Sequence, residues 1–71
     1  MITCMDVLDY TRELLAWFPV NVELDWFDDD TNYYIAVSPV DDDYDMTLVL
    51  ETMKKSGFTL ADSDNGTYFF A

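Results

Sequence analysis

The residues of this chain best suited to act on something outside it are carboxylates. Fifteen of its 71 residues are Asp or Glu, against three Lys or Arg and no His, for a formal net charge of -12. Eight of the fifteen lie between Asp25 and Asp45, in DWFDDDTNYYIAVSPVDDDYD, where two Asp triplets flank an aromatic and β-branched run that contains no base. Carboxylates can ligate a hard cation, move protons or face a cationic partner, and each task demands its own arrangement.

Cation ligation fails on spacing. Asp41, Asp43 and Asp45 repeat the alternating acids that begin a calcium loop, but its sixth position is Met46 rather than Gly and its twelfth is Thr52 rather than Glu. Neither the sharp turn nor the bidentate ligand is present. Asp28, Asp30 and Asn32 fail likewise, with Tyr33 where Gly is required. No metal site and no cofactor are expected. Acid-base catalysis by paired carboxylates needs a deep pocket that raises one pKa, and a chain this short has little volume to build one. With no His, one Cys and no Gly-rich phosphate loop, it also lacks the parts for a Ser-His-Asp or Cys-His arrangement and for phosphoryl transfer. No catalytic residue is assigned, and the chain is read as non-enzymatic.

A cationic partner remains. Crowded like charges oppose folding, and solubility asks a small domain for a net charge of only about 2 to 8 in magnitude, so the excess points to a surface selected for binding. Alternate residues on a strand stand roughly 6.8 Å apart, so Glu23 and Asp25 would hold carboxylates at a separation comparable to successive phosphates on a nucleic-acid strand. Asp28, Asp29 and Asp30, then Asp41, Asp42, Asp43 and Asp45, then Asp62 and Asp64 extend the array. Taken singly, each group is also what turns and helix starts ordinarily contain. Phe27, Tyr34 and Tyr44 fall out of phase with the buried pattern or adjoin the triplets; Tyr34 and Tyr44 are read as exposed aromatic anchors against the partner. The same charge would repel nucleic-acid phosphates and anionic lipid, so direct contact with either is not expected.

The elements that must carry these residues follow from periodicity. Thr3 with Asp6 marks a helix start, and Cys4, Val7, Leu8, Thr11, Leu14, Leu15 and Phe18 recur on one face until Pro19 ends the helix. Val20 to Phe27 alternates as a half-buried strand, Asp28 to Asn32 forms an acidic turn, and Tyr33 to Ser38 returns as the second strand. Asp41 to Asp43 provide a cap and acidic first turn for a helix over Asp43 to Lys55, ended by Gly57. Tyr44, Met46, Leu48 and Leu50 also alternate as a strand would, but Met46, Val49, Leu50 and Met53 make the helical stripe. Phe58 to Asp62 and Thr67 to Phe70 flank SDNG, a strong hairpin turn. The two halves share a faint pattern, TNYYIA and GTYFFA.

The expected fold is α+β, in the order α-β-β-α-β-β, with a four-stranded antiparallel sheet carrying both helices on one face. Strand order is left open. One acidic domain over 1–71 is expected, with Trp17, Phe18, Trp26, Tyr33, Phe58, Tyr68 and Phe69 in its core. A lone Cys4, no basic and apolar leader, and no run of about 20 apolar residues point to a soluble cytoplasmic protein.

In size, charge and helix-plus-sheet makeup the whole chain resembles small, very acidic phage-encoded inhibitors: anti-CRISPR proteins above all, and more loosely anti-restriction proteins and DNA-glycosylase inhibitors. That resemblance implies an inhibitor, monomeric or weakly dimeric, that imitates DNA in an infected bacterium and blocks a nucleic-acid-binding defence complex. An acidic binding module or antitoxin-like partner of some other basic protein would have the same composition.

Overall fold

A computed structural model describes residues 4–26 and 33–71. Phe27, the Asp28–Asp30 triplet with the rest of its turn, the Thr3 cap, and the side chains of Cys4 and Trp26 lie outside the described residues. Helix α1 spans Cys4–Leu14, strand β1 Val20–Trp26, β2 Tyr33–Pro39, helix α2 Thr47–Lys55, β3 Leu60–Asp64 and β4 Thr67–Phe70. The architecture is α+β, and the four strands form one antiparallel sheet in the order β1-β2-β4-β3, leaving β1 and β3 at its edges.

Register settles which residues share a face. Val22 pairs with Val37, Leu24 with Ile35, and Ile35 in turn with Phe70, so these side chains stand on one side of the sheet. There they form a single core with Leu8 and Leu15 of the N-terminal segment and Met46, Val49 and Met53 of the second helical segment. Both helices therefore bury their apolar stripes against the same face. Thr11 is buried among them without penalty, because its hydroxyl donates to the Val7 carbonyl at 2.7 Å.

Helix α1 stops earlier than Pro19 requires. After Leu15 the chain tightens, with Ala16 N–H donating to Glu13 O at 3.3 Å and Phe18 N–H to Leu15 O at 3.0 Å. These three-residue turns keep Leu15 and Phe18 toward the core and turn Trp17 outward, where it is 94% exposed. The expected core position of Trp17 is thus wrong. Phe69 is a second correction. Adjacent strand residues face opposite ways, Phe70 occupies the core with 0% exposure, and Phe69 consequently stands on the other face.

Helix α2 begins at Thr47, not Asp43, and its first turn holds no acid. The N-cap is Met46, with no side-chain cap bond, and just ahead of it the Asp45 carboxylate accepts from the Thr47 N–H at 3.0 Å and from the Thr47 hydroxyl at 2.6 Å. At its far end Gly57 adopts φ +96°, Gly57 N–H donates to Lys54 O, and Phe58 N–H donates to Met53 O at 3.1 Å. That is a Schellman ending, which a left-handed Gly permits. Asn65 and Gly66, at φ 49° and 86°, close the second hairpin as the Asn-Gly pair demands.

Candidate partner-binding surface

The face of the sheet turned away from the helices is built from the other half of each strand. Glu23 pairs with Ala36, Ala36 with Phe69, and Phe69 with Asp62, so one row runs Glu23, Ala36, Phe69, Asp62 across all four strands. Asp25 stands opposite Tyr34, and Asp64 opposite Thr67. Carboxylates thus occupy both edge strands, in pairs about 6.8 Å apart along each strand, and the two edges are about 14 Å apart across three strand spacings. Between them lie Tyr34 and Phe69, both half-buried, and the small residues Ala36, Ser38 and Thr67.

No base shares this face. Arg12 belongs to α1, where its Nε donates to the Val22 carbonyl at 3.2 Å, and Lys54 and Lys55 occupy the last turn of α2. Every Lys and Arg of the sequence is therefore carried by a helix, although Arg12 reaches the β1 edge and lines one depression together with Glu23. The separation is a product of alternation: the residues that suit a core fall in one phase of β1, and Glu23 and Asp25 fall in the other. On the β3 edge, one oxygen of Asp62 accepts from the Ser63 N–H at 2.8 Å, which holds that carboxylate in place.

The β2–α2 loop adds a second acidic group. Asp41, Asp42 and Asp43 are exposed, and Tyr44 N–H closes a turn onto Asp41 O at 3.1 Å. Asp42 lines an open depression of about 560 Å³ with Ser38, Pro39, Asn65, Gly66 and Thr67. The loop thereby meets the β3–β4 turn at one end of the sheet, bringing Asp42 close to the hairpin that carries Asp62 and Asp64.

The expected site residues accordingly divide. Glu23, Asp25, Tyr34, Asp62 and Asp64 share the helix-free face, where Tyr34 is half-buried rather than the exposed anchor expected of it, and Asp42 of the Asp41–Asp43 loop borders its end. Asp28, Asp29 and Asp30 lie outside the described residues. Tyr44 is not the exposed anchor expected of it: it is half-buried and packs against the core. Asp45 is engaged with the first residue of α2: the Thr47 hydroxyl, then the Thr47 N–H, hold its carboxyl below the ordinary carboxylate range. Composition alone missed Phe69 as a surface residue, although strict alternation from Phe70 would have placed it there.

Among the described residues no three Cys, Asp or Glu side chains are grouped so as to hold a metal ion, and no helix is long and apolar enough to cross a membrane. Compared with protein-family models, with curated proteins and with solved structures, the chain matches none.

Proposed function

We propose that this protein is a binding protein rather than an enzyme: an inhibitor of the anti-CRISPR type that occupies a Lys/Arg-lined nucleic-acid groove of a bacterial defence complex in the host cytoplasm. The observation that carries this reading is the helix-free face, with carboxylates on both edges and no base. Carboxylates there substitute for phosphates at the partner's cations, and the field of a chain with net charge -12 steers the encounter. Nucleic acid and inhibitor then compete for one groove.

The test is a competition in which guide-loaded CRISPR effectors of several types, and separately a restriction enzyme and a uracil-DNA glycosylase, hold labelled target DNA while this protein is titrated in. Displacement from at least one of them is expected, with an association rate that falls as salt rises. The quadruple variant Glu23→Gln, Asp25→Asn, Asp62→Asn and Asp64→Asn should displace DNA at least tenfold less well. If DNA stays bound at saturating protein in every case, or if the variant performs like the parent chain, the proposal fails.

A second reading has one observation of its own. Trp17 at 94% exposure is an apolar anchor that phosphate imitation does not require. It favours an acidic module or antitoxin-like partner for a basic protein that does not itself bind DNA, and the competition assay separates the two.

A further inference from the structure

The two carboxylate edges are not the only regularity of the helix-free face. Asp25 on β1 stands directly opposite Tyr34 on β2, and Asp62 on β3 stands directly opposite Phe69 on β4. Cross-strand partners of this kind have Cβ atoms about 4.5–5.5 Å apart, so each ring and its carboxylate rise from adjacent points of the same face. Tyr34 and Phe69 also occupy equivalent places in the two related segments, TNYYIA and GTYFFA. The same pair of chemical groups is therefore presented twice on one surface, once by each hairpin.

A carboxylate beside the face or edge of an aromatic ring suits a guanidinium better than an ammonium. Arg offers a planar fork that bonds a carboxylate in bidentate fashion while its plane stacks on the ring; Lys is a compact, strongly hydrated charge that does neither as well. The Ser63 N–H held by Asp62 fixes one of the two carboxylates before any partner arrives. Strand and residue spacings put the centres of the two pairs about 12 Å apart, two strands across and two residues along. Two turns of an α-helix advance about 10.5 Å, within reach of two flexible Arg side chains at i and i+7 on one helix face.

We propose that the helix-free face is a docking surface for two arginines of the protein partner, one received by Asp25 with Tyr34 and the other by Asp62 with Phe69. This rests on the reading of that face as the partner surface and deepens it: the partner's contact groups are guanidiniums at a fixed spacing, and the Asp41–Asp43 loop contributes long-range attraction rather than a seat.

The probe is an alanine-based helical peptide with Arg at i and i+7, compared with its Lys counterpart of equal charge, each titrated into the isotopically labelled full chain and followed by amide NMR. The Arg peptide should shift resonances around Tyr34, Phe69, Asp25 and Asp62 and bind at least threefold more tightly than the Lys peptide. The double variant Tyr34→Leu, Phe69→Leu, checked for an unchanged fold by its spectrum, should lose roughly 5- to 30-fold toward the Arg peptide, as expected for two cation–π contacts of about 0.5–1 kcal/mol each at half-buried rings. Equal binding of the two peptides, shifts confined to the Asp41–Asp43 loop, or an unaffected double variant would overturn the proposal. The outcome is independent of the DNA competition: Arg-selective binding without displacement of DNA would leave the two-arginine surface standing and remove the inhibitor reading.

Discussion

The two faces of the sheet are made from alternate residues of the same strands and have almost nothing else in common. The inner face, Val22, Ile35, Val37 and Phe70, is buried against two helices; the outer face, Glu23, Asp25, Tyr34, Phe69, Asp62 and Asp64, carries charge and half-buried rings. One residue of register separates a side chain that holds the fold together from one that meets a partner. Stability and recognition can therefore be altered separately in this molecule, even at neighbouring positions.

Phe69 and Phe70 give the sharpest way to break that comparison. Phe70→Ala removes a fully buried ring from the centre of the core and should cost about 3–5 kcal/mol, close to the whole stability of a domain this small. Phe69→Ala removes a half-buried ring from the outer face and should cost about 1 kcal/mol or less. Urea denaturation of both variants measures the difference, and similar losses would mean that the outer face is as structural as the inner one.

A smaller effect is expected from salt. Repulsion among the carboxylates opposes folding, and ionic strength near 0.15 M shortens its reach to about 8 Å, so the melting temperature should fall as salt is removed. The quadruple neutralised variant of the outer face should melt higher than the parent chain at low salt, and the gap should narrow as salt is added. A parent chain that melts at the same temperature or higher in low salt would show that the acidic face carries little strain.

The smallest effect separates an acid used for folding from those left for recognition. Asp45 has a folded-state pKa below its unfolded value, so its contribution to stability is present above the ordinary carboxylate pKa of about 3.9 and is lost as pH falls through the lower folded value. Thr47→Val removes the hydroxyl donor. It should lower the melting temperature slightly at pH 7, and the deficit should shrink as pH is lowered and Asp45 takes up its proton in the folded chain. Melts as a function of pH check the sign.

Much of this is legible in the sequence. Period-two alternation in VNVELDW, the helical stripe of Met46, Val49, Leu50 and Met53, the Gly57 stop and the Asn-Gly turn are local signals, each written in a few adjacent residues, and each element is found there, with shifted ends: α2 starts at Thr47, and β3, expected over Phe58 to Asp62, runs Leu60–Asp64. The expectation fails where a local cue is ambiguous. Asp41 to Asp43 carry the sequence of a cap, yet α2 begins at Thr47 with Met46 at its N-cap, and Asp45 bonds the Thr47 N–H and hydroxyl just ahead of it. Trp17 had the size of a core residue, yet the turns after Leu15 aimed it at solvent.

By itself, then, the sequence determined the order of elements, the acidity and the absence of His, because propensity, periodicity and charge are properties of neighbouring residues or of composition. Only the tertiary structure decided that β4 lies between β2 and β3, and with it that Glu23 and Asp25 face Asp62 and Asp64 across two aromatic rings. Strand order rests on long-range pairing, in which each hairpin must find the edge of the other while both helices bury the same face. No stretch of neighbouring residues encodes that choice.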